Sequence, residues 1–171
     1  DPGHGGRDNG TTGSRGTLEK KLTLQTGKLL YNKLRAAGAN VILTRTNDYY
    51  LSLGTRVSMA HYQNVDAFIS IHYDSVMDPA VKGMTTYYYS EAQKPLAVAI
   101  HQSTSNQTSL INRGVRYGDY HVLRENRQKA VLLELGYLSN PSEELLLTSN
   151  QYQEQVTNGI LRGIVQYFNQ F

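Results

Sequence analysis

Cysteine and tryptophan are both absent from this 171-residue sequence. Without cysteine the chain can form no disulfide and supply no thiolate, so His, Asp and Glu would have to hold any metal ion. No apolar run is long enough to predict a membrane-spanning helix. Lys and Arg form no clusters, and the formal net charge is only +3. We therefore expect neither a membrane nor a nucleic-acid partner, whereas an anionic polymer is compatible with this mild basic charge.

Length and composition are typical of a single globular domain. Hydrophobic residues make up 39% of the sequence and charged residues 18%, which suits a chain with a sizeable core. We therefore expect residues 1–171 to form one domain. The chain begins at Asp1 with a glycine-rich segment, and such a segment normally follows a strand and leads into a helix. We expect that first strand to be cut off before Asp1 or reduced to a stub.

Apolar periodicity and turn residues predict alternating helices and strands. The first helix has Thr17 as a plausible N-cap and ends at Gly38. The other predicted helices cover residues 52–64, 91–107 and 151–168, with one more starting at residue 140. The predicted strands cover residues 39–44, 66–71, 83–90, 120–124 and 130–135, with 83–90 near a sheet edge and 112–119 as a loop.

This alternation predicts an α/β fold. We expect a single three-layer domain with a mostly parallel, twisted sheet of about six strands and helices on both faces.

One carboxylate interrupts the most apolar predicted strand. Residues 130–136 (AVLLELG) are typical of a parallel strand that is buried on both faces. A charged carboxylate in such a place is costly unless a cation, a metal or a hydrogen-bond donor meets it. Glu134 therefore needs a partner, and both a structural ion pair and a functional site remain open.

Four residues with metal- or proton-binding side chains are predicted at one edge of the sheet. His4 follows the presumed first strand, Glu19 lies in the first turn of the next helix, His72 ends the strand 66–71, and Glu134 is near the end of the last strand. Ligands of open α/β sheets bind outside the carboxyl ends of the strands. Two His and one carboxylate with an open fourth position are a catalytic zinc arrangement, in which another carboxylate can act as base.

Each of these side chains also has a simpler interpretation. His4 could cap a glycine-rich loop, and Glu19 could complement the helix dipole. His61, His101 and His121 have no ligand-like context and are interpreted as surface or packing residues. Arginines 45, 56 and 124 could bind substrate carboxylates, but ion pairs at the core edge are equally compatible. The run Tyr87–Tyr89 could line a groove, although a solvated strand explains it as well.

The order of motifs along the chain resembles the zinc-dependent N-acetylmuramoyl-L-alanine amidases of the amidase-3 type, which are bacterial cell-wall hydrolases. The matching segments span nearly the whole chain: DPGHGGRDNG at 1–10, LTR at 43–45, residues 53–60, SIHYD at 70–74, NRGV at 112–115, VLR at 122–124 and LELGYLSN at 133–140. Departures are small: Asp74 stands where Asn is also common, and Tyr137 where Phe is usual.

The resemblance implies a site and a reaction. It implies one zinc ion per chain on His4, Glu19 and His72, a water in the fourth position, and Glu134 as the catalytic carboxylate. The implied reaction is hydrolysis of the amide bond between N-acetylmuramic acid and the L-alanine of a peptidoglycan stem peptide, outside the cell or in its wall. Because no inserted segment separates the motifs, we expect no activator protein. Residues that bind substrate are not predicted.

Two other functions fit the same sequence. One is a wall-binding module that keeps the fold without turnover. The other is a different zinc hydrolase, such as a peptidase that trims stem peptides.

Overall fold

The computed structural model describes residues 1–169, which form helices packed around a central sheet. The helices are α1 (Glu19–Ala36), α2 (Leu53–Gln63), α3 (Lys94–Gln107), α4 (His121–Arg124), α5 (Pro141–Leu147) and α6 (Asn150–Phe168). The strands are β1 (Ala67–Asp74), β2 (Met84–Tyr88), β3 (Asn112–Tyr117) and β4 (Lys129–Tyr137). No helix of the described chain is both long and apolar enough to cross a membrane.

The sheet has the strand order β1-β4-β2-β3 and is mixed. β4 is parallel to β1, β2 is parallel to β3, and β2 runs antiparallel to β4. The prediction of about six mostly parallel strands is therefore not confirmed, since residues 1–169 form four strands with both kinds of pairing. The prediction puts residues 83–90 near a sheet edge, and β2 lies one strand in from the edge, between β4 and the edge strand β3.

Three local predictions are wrong. Residues 39–44 form no strand, residues 112–117 form β3 instead of a loop, and residues 121–124 form the short helix α4 instead of a strand. A strand exists only where a neighbour pairs with it. Residues 39–44 pair with no strand of the described chain. Residues 1–3 lie along β1 only as a stub, with one bridge between Pro2 and Ile71.

Side-chain alternation along β4 separates two apolar layers. Val131, Leu133 and Leu135 belong to the larger core with α1, α3 and α6. Ala130 and Leu132 belong to a smaller core with α2 and α4, on the opposite face. Alternation places Glu134 on the same face as Ala130 and Leu132. The carboxyl group of Glu134 therefore lies on the side of the smaller core, where a cavity opens beside α2 and α4.

Candidate metal centre and active-site cavity

The loop before α1 holds His4 in an unusual backbone conformation. His4 has a φ of 60°, in the left-handed region that only a few per cent of non-glycine residues adopt. Arg56 stabilises this conformation, since its NH2 group donates to the His4 carbonyl at 2.7 Å. The ring is oriented by Asp8, whose Oδ2 lies 2.9 Å from His4 Nδ1. The other ring nitrogen, Nε2, is thereby left to face the site.

Glu19 is the first residue of α1 and lies between the two histidines. Its Oε2 is 3.1 Å from His4 Nε2, and its Oε1 is 3.0 Å from His72 Nδ1. The backbone N–H groups of Thr11 and Tyr73 each donate to one of its oxygens, at 2.9 and 3.1 Å. The carboxylate is therefore held in one orientation with one oxygen toward each imidazole.

His4, Glu19 and His72 fit a zinc ion. Each offers one ligand atom, and these atoms all lie within 4.8 Å of one another. Two imidazole nitrogens and one carboxylate oxygen are a known catalytic zinc donor set, which leaves a fourth position for water or substrate. The contact from Asp8 to the far nitrogen of His4 is the outer-shell interaction that normally orients such a ligand. The structure thus brings together the three residues that the sequence predicts as ligands.

Electrostatics within this cluster favour a charged Glu19. Burial alone would raise the pKa of Glu19, but its hydrogen bonds to His4 and His72 outweigh that effect and hold the pKa far below its usual range. Burial by itself lowers the pKa of His4, whereas the contacts with Glu19 and Asp8 raise it overall. For His72 burial dominates, and its pKa is lowered. A deprotonated Glu19 beside a His72 that favours its neutral form is the state that a cation requires.

Glu134 lines the same cavity, but its pKa is shifted in the opposite direction from that of Glu19. Its side chain lines the cavity on β4, in register with His72 of β1. Burial raises the pKa of Glu134 well above its usual range, and the negative charges of Asp74 and Glu19 add to that shift. Within residues 1–169 its buried Oε2 has no hydrogen-bond partner. The structural ion pair that the sequence left open is therefore not found for Glu134.

The cavity has a volume of about 550 Å³ and is open to the surface. Besides the four predicted site residues, its walls include aromatic, apolar and acidic side chains: Tyr50, Leu53, Asp74, Tyr120, His121 and Leu132. His121 was predicted on a strand away from the site, but it lies on α4 in the cavity wall.

The buried arginines are structural. Arg45 is fully buried and donates to the carbonyl groups of Pro2 at 3.0 Å, Gly3 at 2.8 Å and Lys20 at 2.7 Å. Arg56 pairs with Asp1 at 2.7 Å in addition to its bond with His4. Both residues therefore fix the loop that carries His4. The third candidate, Arg124, pairs with the surface carboxylates of residues 119 and 125.

Two of the other predicted packing residues lie outside the site. His101 is buried and lies 3.0 Å from Thr86 Oγ1 and 2.8 Å from Asn112 Oδ1, on the opposite face of the sheet. His61 accepts a hydrogen bond from the N–H of Arg127 at 3.1 Å. Among residues 1–169, only His4, Glu19 and His72 form a cluster of this metal-binding kind.

Asp8 is a site residue that sequence reasoning missed. It lies four positions after His4, a spacing that brings side chains together in a helix but has no fixed meaning in a loop. Here a turn closes the loop, because Gly5 and Asp8 exchange backbone hydrogen bonds of 2.9 and 3.1 Å. The path of that turn, which the sequence does not specify, brings Asp8 to His4.

Comparisons with known proteins identify the family of this chain. The sequence model of the N-acetylmuramoyl-L-alanine amidase family matches residues 1–166. The chain is 56% identical to the putative N-acetylmuramoyl-L-alanine amidase YrvJ of Bacillus subtilis, over 98% of this chain and 33% of that protein. The chain spans between a third and just over half of the length of the first curated relatives that it matches.

Solved structures have the same fold. The catalytic domain of CwlV, an N-acetylmuramoyl-L-alanine amidase of Bacillus (Paenibacillus) polymyxa var. colistinus, is 40% identical, with a TM-score of 0.96 over 99% of this chain and 96% of that chain. The CwlD amidase of Clostridioides difficile, solved in complex with the GerS lipoprotein, is 30% identical, with a TM-score of 0.93 over 100% of this chain and 97% of that chain.

Proposed function

This chain belongs to the family of N-acetylmuramoyl-L-alanine amidases, and we propose that it hydrolyses the amide bond between N-acetylmuramic acid and the L-alanine of peptidoglycan stem peptides. The observation that carries the proposal is the convergence of His4, Glu19 and His72 on one face of a cavity that also contains Glu134. This combines a zinc donor set with a separate acid–base carboxyl group. The choice of bond rests on the family.

The three ligands would hold one zinc ion per chain. When bound, zinc supplies a water of lowered pKa and a Lewis acid for the amide carbonyl. Glu19 holds its orientation through the N–H groups of Thr11 and Tyr73, and Asp8 fixes the ring of His4. These contacts preorganise the donor set before any substrate arrives.

Glu134 would move the proton. Its carboxylate takes a proton from the attacking water and later gives it to the nitrogen of the leaving L-alanine. A raised pKa suits this double role, because an acid–base group works best when its pKa is near the working pH. The negative charge of Glu19 is one cause of the raised pKa, so a cation held by Glu19 would offset part of the shift. No nucleophilic side chain is needed.

The test is digestion of purified cell wall with mass analysis of the products. An amidase releases stem peptides with a free L-alanine amine and leaves the muramic acid without a peptide. A peptidase would leave cut peptides still attached to the sugar, which would replace the proposed reaction by the second zinc-hydrolase hypothesis. Binding to wall without any product would favour a silent binding module. A parallel digestion with excess chelator should stop all release if the metal is required.

We further propose that the domain acts on its substrate outside the cell or in the wall, and that it needs no activator. Residues 75–83, between β1 and β2, contain no helix, and the cavity is open. One structural neighbour was solved with a lipoprotein, so dependence on a partner is a real alternative. A purified domain that stays silent on wall material until a partner is added would contradict this proposal.

A further inference from the structure

A second unpaired polar atom lies on the same face of the sheet as Glu134. β2 and β4 are antiparallel neighbours, and their register places Thr85 directly opposite Glu134. Directly opposed residues of an antiparallel pair point to the same face, with Cβ atoms about 4.5–5.5 Å apart. The hydroxyl of Thr85 and the carboxyl group of Glu134 are therefore neighbours across the strand pair.

Both side chains have a buried oxygen without a partner. Among residues 1–169, Thr85 Oγ1 and Glu134 Oε2 are two of only four buried side-chain polar atoms that make no hydrogen bond. The next residue differs, since Thr86 points to the other face and lies 3.0 Å from His101. Most buried polar atoms in native proteins are hydrogen-bonded, so each exception needs an explanation. The two atoms do not bond to each other either, so one buried water that bridges them would satisfy both.

The chemistry of the two groups is complementary. An ionised carboxylate only accepts hydrogen bonds, whereas a threonine hydroxyl can donate one. Thr85 is 1% exposed, and the neighbouring pair of Tyr87 and Tyr120, with ring centroids 5.1 Å apart, packs on the same face. A hydrogen bond in such a low-dielectric place is stronger than one in water.

We propose that Thr85 is a positioning residue whose hydroxyl donates to one bridging water that in turn donates to Oε2 of Glu134, and so orients the carboxylate for proton transfer. The inference rests on the proposed amidase function. The β-branched side chain of Thr85 suits this positioning role, because few rotamers are available to it in a strand. Valine has nearly the same shape without the hydroxyl, and serine keeps the hydroxyl.

The first experiment measures kcat and KM on a soluble muramoyl-peptide substrate. We expect Thr85→Val to lower kcat about 10-fold with little change in KM, because the hydroxyl acts on the transition state through Glu134. Thr85→Ser should restore most of the lost rate. The control is Thr157→Val, since Thr157 is buried in α6 and bonds to the carbonyl groups of residues 153 and 154. A wild-type kcat in Thr85→Val would overturn the proposal. A kcat in Thr85→Ser as low as that of a slowed Thr85→Val enzyme would also overturn it.

The second experiment is a double-mutant cycle with Glu134→Gln. If Thr85 acts through Glu134, Thr85→Val should lower kcat much less in the Glu134→Gln background than in the wild type. The same four proteins are compared by denaturant unfolding, and contacting residues should show non-additive changes. Additive changes in both measurements would show that the two residues do not interact. If the wild type itself has no amidase activity, the proposed function fails, and the unfolding cycle still decides whether Thr85 contacts Glu134.

Discussion

Gly3 lies directly against the imidazole ring of His72. A Cβ atom at residue 3 would overlap the Cε1, Nε2 and Nδ1 atoms of that ring. The Gly3 N–H also donates to the carbonyl of Ile71 at 3.0 Å, which ties the loop to β1. Because residue 3 has no side chain, the rings of His4 and His72 approach to 4.9 Å between centroids. This glycine therefore sets the separation of two candidate metal ligands.

We expect Gly3→Ala to displace His72 and to weaken both metal binding and wall hydrolysis by about 10- to 100-fold, as outer-shell changes commonly do. The measurement is a zinc competition titration together with a hydrolysis assay. The matched control is Gly54→Ala in α2, where a Cβ would meet open space. That change should leave zinc affinity intact and stabilise the helix by about 0.5–1 kcal/mol. Unchanged zinc affinity in Gly3→Ala would show that the His72 ring can shift without consequence.

The ligand set itself is tested by removing its members. We expect one tightly held zinc ion per chain, which is lost in Glu19→Ala and in His72→Ala because two remaining donors cannot hold it. Metal analysis after dialysis against a weak chelator gives the occupancy. His61→Ala is the control, because His61 lies on α2 outside the metal cluster and its ring accepts a hydrogen bond from the Arg127 backbone. Full zinc occupancy in either ligand variant would remove that residue from the set.

The sequence predicts the site better than it predicts the sheet. The ends of predicted elements place His4, Glu19, His72 and Glu134 at one edge of the sheet, and the structure brings them into one cavity. Their roles as zinc ligands and catalytic carboxylate are implied by the family resemblance and stay predictions. The prediction gives residues 112–119 as a loop, and this segment contains Asn, Gly and Asp, which favour turns. Residues 112–117 form β3 because their backbone pairs with the parallel neighbour β2. This pairing depends on the tertiary structure and cannot be predicted from the local sequence.

Asp8 and Thr85 were missed for related reasons. Asp8 depends on the path of a glycine-rich turn, and Thr85 depends on the register between β2 and β4. Neither is determined by short-range spacing. The short helix α4 was mistaken for a strand because four residues carry too little periodicity to separate the two.

Glu144 connects α5 to the loop that precedes Glu19. Its carboxylate accepts from Ser14 Oγ at 2.7 Å and from the N–H groups of Arg15 and Thr17 at 2.9 and 3.2 Å. Burial alone would raise the pKa of Glu144, but these donors outweigh it and lower the pKa below its ordinary value of 4.5. The folded-state pKa is thus below the unfolded value. The resulting stability is present above about pH 4.5 and is lost as the pH falls through the folded-state pKa.

We therefore expect Glu144→Gln to lower the free energy of unfolding by about 1–2 kcal/mol at neutral pH, because a charged acceptor is lost. The difference from wild type should shrink as the pH falls below about 4.5 and through the lowered folded-state pKa, where the wild-type carboxylate becomes protonated. Denaturant unfolding of both proteins across this range gives the comparison. Glu154→Gln is the control, since Glu154 is exposed and pairs with Lys33 at the surface. A stability gap that does not depend on pH would contradict the assigned role.

The last prediction concerns the role of Glu134. Glutamine has the same shape and can still hydrogen-bond, but it cannot take up a proton at neutral pH. If Glu134 is the base and not a ligand, Glu134→Gln should keep the zinc and the fold while kcat falls by about 10²–10⁴, the usual contribution of a positioned general base. KM should change little, because the carboxylate acts mainly in the transition state.

Three measurements on this variant separate the possible roles. Zinc content, melting temperature and wall hydrolysis would all be needed on the same preparation. Loss of zinc would make Glu134 a ligand. A lowered melting temperature would make it a structural partner, whereas the cost of burying its charge predicts that Glu134→Gln leaves stability equal or higher. A variant that holds zinc, melts normally and still hydrolyses wall at the wild-type rate would show that the carboxylate of β4 takes no part in the chemistry.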